Sequence, residues 1–129
     1  MIVVDCSSIV DALRGVSGAG SLRSRMVDQE LHAPTLLDYE VVSVVRGLTL
    51  GGHLTARRAD DLLADYEELP IHRWSSAHAL RRRAFDLRDS VSAYDAAYVV
   101  LAEALECPLV TRDARLARTG GHDARIEVL

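Results

Sequence analysis

The sequence contains no lysine, and all 15 of its basic residues are arginine. This absence excludes every mechanism that requires a lysine side chain. Cysteine is also scarce, with two residues among 129. So few thiols argue against a disulfide-stabilised scaffold and are typical of a reducing compartment, and we therefore expect a cytoplasmic protein.

Long apolar segments and excess positive charge are missing as well. No run approaches the roughly 20 apolar residues that a membrane-spanning helix needs, and the first residues, MIVVDCSS, lack the basic region of a signal peptide. The formal charge of −4 gives no overall basic surface of the kind that nucleic-acid binders often show. We therefore expect a single domain over residues 1–129 that has no membrane partner.

What the sequence does contain is an alternation of short β-branched segments with amphipathic ones. Five segments have strand character, namely MIVVD, LHAP, PIHRW, PLVTRD and RIEVL. Helical segments lie between them: Ser7 or Ser8 is predicted to cap the first, Gly15 to end it, Pro34 to open the third and Thr55 to cap the fourth. This order predicts an α/β fold with a central, mainly parallel sheet of about five strands and helices on both faces.

Four acidic residues occupy positions that such a fold would bring together. Asp5 follows the first predicted strand and Asp113 follows the fourth, so parallel neighbouring strands would place both at the edge where ligands bind. Glu40 and Asp95 lie in the apolar faces of two predicted helices, where an acid is costly unless it is paired or holds a metal ion. We therefore expect the four carboxylates to converge on one site.

Each acid also has an ordinary structural interpretation. Asp5 and Asp113 could each cap the helical segment that follows. Either of the helical acids could pair with a buried arginine such as Arg46 or Arg88. The metal-site interpretation is favoured because two acids fall at strand ends and two in apolar helix faces at the same time.

A cluster of carboxylates would need a cation. Carboxylates around a small cavity repel one another and raise each other's pKa, and a divalent cation relieves this. Ligation by oxygen alone suits Mg²⁺ or Mn²⁺, whereas the histidines and cysteines show no spacing typical of zinc. A carboxylate-held Mg²⁺ commonly activates water or stabilises charge on a phosphate, which favours phosphodiester hydrolysis.

Four segments of the sequence, taken together, are similar to the motifs of a known family. They are MIVVDCSSIVDAL, APTLLDYEVVSVVRGL, SAYDAAYVVLAEAL and PLVTRDARLA. With them the chain resembles PIN-domain ribonucleases, and among these the VapC toxins of bacterial toxin–antitoxin pairs. The resemblance covers essentially the whole chain, although Cys6 and Glu106 stand where small residues are usual.

The resemblance implies both a site and an activity. It places the metal-site acids of the family on Asp5, Glu40, Asp95 and Asp113, and two supporting hydroxyl groups on Ser7 and Thr111. It implies a PIN-like fold and a Mg²⁺-dependent endoribonuclease, usually a homodimer, that a cognate antitoxin silences. The RNA substrates in this family are structured molecules such as tRNA or ribosomal RNA.

An acidic site needs separate positive groups to hold RNA. Arg112 and Arg115 follow the fourth acid directly, and Arg81, Arg82 and Arg83 are the next candidates. Both segments, TRDARLAR and LRRRAFDLR, are locally basic, although either could be an ordinary solvated helix face. We expect these arginines to contact the RNA backbone.

Other folds that bind Mg²⁺ or nucleotides fit less well. Receiver domains and haloacid-dehalogenase-like phosphatases need a lysine and a second acid after the first strand, and the sequence has neither. A dinucleotide-binding module needs Gly-x-Gly-x-x-Gly after the first strand, whereas GVSGAG has another spacing and follows a helix. The remaining alternative is a catalytically idle PIN-like protein that only binds RNA or a partner protein.

Overall fold

A five-stranded parallel sheet forms the centre of the computed structural model, which describes residues 1–129. The strands are β1 (Ile2–Val4), β2 (Leu31–Pro34), β3 (Ile71–Trp74), β4 (Leu109–Thr111) and β5 (Ile126–Val128). Their spatial order is β3-β2-β1-β4-β5, and every neighbouring pair is parallel. The predicted sheet is confirmed, and its strand order reverses between β1 and β4, where α/β folds place their ligands.

Six helices connect the strands and cover both faces of the sheet, as predicted. They are α1 (Cys6–Arg14), α2 (Ala19–Met26), α3 (Leu36–Leu50), α4 (Ala56–Glu68), α5 (His78–Asp86) and α6 (Ala93–Leu105). Helix α6 packs against β1, β2 and β4 and contacts α5, whereas α1 packs against β4 and contacts α2, α3 and α4. No helix is long and apolar enough to cross a membrane.

The start of α1 differs from the prediction in a way that matters for the site. The helix begins at Cys6 and its cap is Asp5, whose carboxylate accepts the backbone N–H of Ser8 at 3.0 Å. The prediction of Ser7 or Ser8 as the cap was wrong, because both hydroxyl groups have other partners. The end of the helix was predicted correctly, since Gly15 adopts the left-handed conformation that terminates α1.

The start of α3 was also misplaced, because Pro34 ends β2 instead of opening the helix. Thr35 donates its N–H to the Trp74 carbonyl of β3. Because successive backbone nitrogens of a strand point to opposite sides, the nitrogen of Pro34 faces the other neighbouring strand, β1. The pairing of β1 with β2 ends at His32. Proline therefore removes no ladder hydrogen bond at this position. Thr55 caps α4, as predicted.

The core is aliphatic, and its centre is formed by the two strands that flank the site. Ile2, Val3 and Val4 of β1 and Leu109 and Val110 of β4 are completely buried. Two tyrosines are the only phenol or indole side chains among the buried residues. Both cysteines are free thiols. A rigid pair of neighbouring strands thus carries Asp5 and Thr111 at its carboxyl end.

Candidate active site

Asp5 is the best-fixed carboxylate of the candidate site. Val4 and Val110 are paired in register, so the residues that follow β1 and end β4 lie side by side. The carboxylate accepts the Ser7 hydroxyl at 2.7 Å and the Ser8 N–H at 3.0 Å on one oxygen, and the Thr111 hydroxyl at 2.5 Å on the other. Asp5 is buried, and its position is determined by three donors.

The two predicted hydroxyl groups, Ser7 and Thr111, hold this corner of the fold together. Each has a single proton and donates it to Asp5, so their oxygens, 3.4 Å apart, act elsewhere as acceptors. The Ser7 oxygen accepts the N–H of Arg112 at 3.1 Å, and the Thr111 oxygen accepts that of Asp113 at 2.9 Å. The segment after β4 is therefore tied to α1 through the carboxylate of Asp5.

Glu40 reaches the site from α3 and is anchored by a residue of α6. The buried hydroxyl of Tyr98 donates to the Glu40 carboxylate at 2.5 Å. Tyr98 was not predicted as a site residue. A signal was present, because a tyrosine three residues after Asp95 shares its helix face. The hydrogen bond between Tyr98 and Glu40 thus links α6 on one face of the sheet to α3 on the other.

Removing the Tyr98 hydroxyl should weaken both the fold and the activity. In Tyr98→Phe, the Glu40 carboxylate loses its only hydrogen-bond donor within the chain. We expect the free energy of unfolding to fall by about 1.5 kcal/mol and RNA cleavage to fall by about tenfold. Urea denaturation in EDTA and a cleavage assay measure the two effects.

Tyr66→Phe is the matched control, because Tyr66 donates to Asp38 at 2.6 Å in a separate contact. It should lower stability by a comparable amount and leave cleavage unchanged. Equal losses of activity in both variants would mean that Tyr98 acts through stability alone.

Asp95 lies in the first turn of α6 and is half-buried. Its backbone N–H is capped by Ser92, but its carboxylate takes part in no hydrogen bond or ion pair within the chain. The alternative in which Arg46 or Arg88 neutralises a helical acid is wrong, since neither Glu40 nor Asp95 has an arginine partner. Arg88 instead lies over the Phe85 ring.

Asp113 follows β4 as predicted, but an arginine holds its carboxylate. The guanidinium of Arg115 contacts both carboxylate oxygens, with the shortest distance at 2.6 Å, and the Arg115 backbone N–H donates to one of them at 2.9 Å. The capping interpretation applies to Asp5 but not to Asp113, because the 3₁₀ helix that follows (Leu116–Arg118) has Arg115 at its cap position. A carboxylate has about four acceptor sites, so Asp113 keeps one for a metal ion.

The electrostatics of the site show uncompensated negative charge. Burial raises the pKa of Glu40, and the charges of Asp95 and Asp5 raise it further, against the hydrogen bond from Tyr98. Burial also raises the pKa of Asp5, and its three donors oppose that shift. The Cys6 thiol lies in the same field, and burial together with Glu40, Asp5 and Asp11 raises its pKa to about 12.

The donor set suits a hard divalent cation, although the carboxylates do not enclose one as they stand. No group of three His, Cys, Asp or Glu side chains lies close enough together to hold a metal ion. Three of the four acids nevertheless lack a cationic partner, and all the donors are oxygens, the kind that Mg²⁺ prefers. The donor chemistry of the residues present therefore fits such an ion.

Arg112 points away from Asp113 and supports the fold. Its guanidinium contacts the Asp11 carboxylate at 3.1 Å and the carbonyl oxygens of Ser17 and Leu129 at 3.2 Å each. These partners belong to α1, to the segment before α2 and to the segment after β5. The expectation that Arg112 contacts RNA receives no support from this arrangement.

Arg112→Ala should therefore reduce stability more than RNA binding. Three charge-assisted hydrogen bonds are lost at a partly exposed position, and we expect the free energy of unfolding to fall by about 2 kcal/mol. The slope of RNA affinity against salt should stay unchanged, because no phosphate contact is removed. Urea denaturation and a binding titration at several salt concentrations test this, and a flatter salt slope would restore Arg112 to the RNA interface.

The three arginines of α5 differ in the hydrogen bonds and ion pairs that their side chains make within the chain. Arg83 contacts the Glu103 carboxylate and the Gly121 carbonyl, and Arg81 donates to Ser76. The Arg82 side chain is exposed and makes no hydrogen bond or ion pair within the chain. Of the five arginines proposed for RNA binding, Arg81, Arg82 and Arg115 are exposed.

A large apolar groove lies beside Asp95 and was not anticipated from the sequence. Its volume is about 620 Å³, and its apolar lining includes Leu36, Trp74, Leu80, Phe85, Tyr94 and Leu101. Trp74, Phe85 and Tyr94 are all substantially exposed. These few aromatic residues outside the core were the available signal. Residues next to Asp95 in sequence line the groove, but none of the four acids does.

Comparisons with known proteins agree with this architecture. The chain matches the PIN domain family over residues 2–122. It is 39% identical to ribonuclease VapC9 of Mycobacterium tuberculosis, covering all of this chain and 98% of that protein, and 33% identical to ribonuclease VapC12 of the same species, covering all of this chain and 99% of that one.

Solved structures are similar in fold at low sequence identity. VapBC2 from Rickettsia felis, bound to a promoter DNA fragment, matches with a TM-score of 0.69 at 12% identity, covering 99% of this chain and 98% of that one. M. tuberculosis VapC20, described as a sarcin-ricin loop cleaving toxin, matches with a TM-score of 0.65 at 14% identity, covering 95% and 97%. On sequence and fold together, the chain belongs to the PIN-domain family, in its VapC ribonuclease branch.

Proposed function

We propose that the chain is a Mg²⁺-dependent endoribonuclease, with Mn²⁺ as a possible substitute, that acts as the toxin of a type II toxin–antitoxin pair. One observation carries the proposal. Asp5 is locked by Ser7, Ser8 and Thr111 beside two acids, Glu40 and Asp95, that no cation within the chain neutralises. A purely structural cluster of this kind would be a net cost.

Each residue has a specific part in the proposed site. Asp5, Glu40, Asp95 and Asp113 would hold the ion, which when bound supplies an activated water and neutralises charge on a phosphate. Ser7 and Thr111 keep the Asp5 oxygens oriented, and Tyr98 does the same for Glu40. Burial and the neighbouring acids raise the pKa of the Cys6 thiol, so this thiol is protonated at neutral pH while the site is empty.

RNA is the proposed substrate, and tRNA or ribosomal RNA is the proposed target class. The relatives at 33 and 39% identity carry the name ribonuclease, and VapC20 is described as cleaving the sarcin-ricin loop. The exposed guanidinium groups of Arg82 and Arg115 are the groups we expect to contact phosphates. Arg81 is a further candidate at the rim of the groove.

A cognate antitoxin and a second copy of the chain are the proposed protein partners. Several structures with this fold are toxin–antitoxin complexes. The outer face of α3 exposes Tyr39 by 80% and Leu50 by 71%, which is unusual for a surface that stays in water. We propose that this face and the nearby groove are covered in a homodimer that works in the cytoplasm.

The activity is tested by incubating the purified protein with tRNA and with ribosomal RNA, in Mg²⁺ and in EDTA. We expect discrete fragments in Mg²⁺ and none in EDTA. Equal cleavage in EDTA would refute the metal dependence. Addition of the small protein encoded by an adjacent upstream reading frame should abolish cleavage if that protein is the antitoxin.

The alternative of an idle binding protein is favoured by one observation, the engagement of Asp113 by Arg115. The same assay separates the two functions. An idle protein would bind RNA or a partner and release no fragments at any Mg²⁺ or Mn²⁺ concentration.

A further inference from the structure

The guanidinium group of Arg115 gives the Asp113 carboxylate the positive charge that a metal ion would otherwise provide. Two guanidinium nitrogens of Arg115 meet the two carboxylate oxygens of Asp113 at 2.6 to 3.2 Å. The Arg115 side chain is 78% exposed, whereas that of Asp113 is 25% exposed. The arginine therefore approaches from solvent, and nothing packs around it to hold it in place.

The pair is also weak enough to be exchanged. Exposed ion pairs contribute little to stability, because both groups are well solvated when they separate. The charge of Arg115 also interacts with Asp95, the unpaired acid on α6.

We propose that Arg115 is an internal counter-ion that a divalent metal ion displaces from Asp113, and that the released guanidinium then binds an RNA phosphate. The inference rests on the proposed function of the site. It accounts for the engagement of Asp113 alone, since Asp5, Glu40 and Asp95 have no arginine partner and still form no group that could hold a metal ion as they stand.

The exchange makes metal binding and RNA binding cooperate. Without metal, Arg115 is occupied and contributes nothing to RNA affinity. With metal, Asp113 has a new partner, so Arg115 is free to contact phosphate. Because coupling between two ligands is reciprocal, RNA that captures Arg115 must also raise the affinity for the metal. Arg115 is therefore a positioning residue for metal and a contact residue for RNA.

Metal binding to the RNA-free protein provides the first test. Titration calorimetry with Mg²⁺ should show that Arg115→Ala binds the ion about 1.4- to 5-fold more tightly than wild type, since no arginine competes for Asp113. Arg118→Ala is the matched control. Arg118 is an exposed arginine of the same turn whose charge reaches Asp113 without a hydrogen bond.

A general effect of positive charge would tighten metal binding equally in both variants, and that result would overturn the inference. Wild-type protein that binds no Mg²⁺, together with variants that bind none, would overturn the proposed metal-dependent function as well. If wild type and both variants bind Mg²⁺ with equal affinity, only the inference fails.

Nuclear magnetic resonance of the arginine Nε–H groups gives a readout that is independent of affinity. The Arg115 signal, identified by its absence in Arg115→Ala, should change its chemical shift as Mg²⁺ is added, because its carboxylate partner is lost. An Arg115 signal that keeps its chemical shift at saturating Mg²⁺ would show that metal and arginine do not compete for Asp113.

RNA affinity completes the test, with a phosphorothioate single-stranded oligonucleotide as the probe. In EDTA, Arg115→Ala should bind it as wild type does. In Mg²⁺, Arg115→Ala should bind the oligonucleotide about 2- to 5-fold more weakly than wild type does. For Arg118→Ala, the ratio of its affinity to that of wild type should be the same in EDTA and in Mg²⁺. An Arg115→Ala deficit of equal size with and without Mg²⁺ would contradict the exchange.

Discussion

Replacing Asp5 by asparagine should lower RNA cleavage by about a thousandfold while the protein stays folded. Asp5 is the carboxylate held most rigidly in the site, at the switch point between β1 and β4. Because three donors hold the Asp5 carboxylate in place, rotation of its side chain cannot move the charge away from the proposed metal position. Without that charge, we expect both metal affinity and cleavage to collapse.

The fold should tolerate this change because asparagine can satisfy the same partners. Its amide oxygen can accept from Ser7 and the Ser8 N–H, and its NH₂ group can donate to Thr111, whose hydroxyl then rotates. Burial already raises the pKa of Asp5, which means that its ionised form is disfavoured in the folded state. Loss of the charge should therefore leave the melting temperature in EDTA equal to that of wild type or higher.

The measurement is the cleavage rate with saturating Mg²⁺, together with a melting curve for each protein. Asp65→Asn is the control, because Asp65 is an exposed acid of α4 whose side chain makes no hydrogen bond or ion pair. It should cleave like wild type. If Asp5→Asn retains more than a tenth of the wild-type rate, Asp5 does not belong to the catalytic machinery.

The second large effect concerns stability and depends on the metal. Mg²⁺ at a hundred times its Kd should stabilise the wild-type protein by about 2.7 kcal/mol. Asp95→Asn should gain much less from the ion, because a ligand is missing. In EDTA, by contrast, we expect this variant to melt above wild type, since the charge of Asp95 raises the pKa of Glu40 and the two acids repel each other.

A smaller effect opposes this gain, because a carboxylate in the first turn of α6 interacts favourably with the helix dipole, by about 0.3–1 kcal/mol. Two melting curves for each protein, one in EDTA and one in excess Mg²⁺, decide the balance. The order of the two proteins should reverse between the conditions. If Asp95→Asn melts lower in EDTA and Mg²⁺ shifts neither protein, Asp95 must be removed from the site.

The sequence predicted the sheet well because the strands are short, apolar and interrupted by strong breakers. It also placed Asp5, Ser7 and Thr111 near one another, because neighbouring parallel strands share a carboxyl edge. The errors at Pro34 and at the cap of α1 have a common physical cause. The Ser8 hydroxyl donates to the Val110 carbonyl of β4, and the Thr35 N–H donates to the Trp74 carbonyl of β3. Both partners lie on another strand and are distant in sequence.

Arg112 shows the same limit more sharply. Adjacency to Asp113 suggested a shared role, but successive residues of an extended chain point to opposite sides. Thr111 and Asp113 therefore turn towards the site and Arg112 turns away, to Asp11. Alternation alone could have indicated this. The sequence contains the aromatic residues that line the apolar groove, but not the groove itself, because its shape depends on how α5, α6 and β3 are arranged in space.

The bond between Asp5 and Thr111 joins positions that are 106 residues apart. The pocket that would cut RNA thus uses the first strand and nearly the last, and it cannot exist until both have left the ribosome. A chain that stalls or is truncated before β4 has no oriented carboxylate at position 5. At a synthesis rate of about 5–20 residues per second, the producing cell has at least several seconds before each new molecule becomes harmful. Early termination of translation would therefore yield fragments that lack the oriented Asp5 carboxylate, and such fragments should not cleave RNA in the cell that produces them.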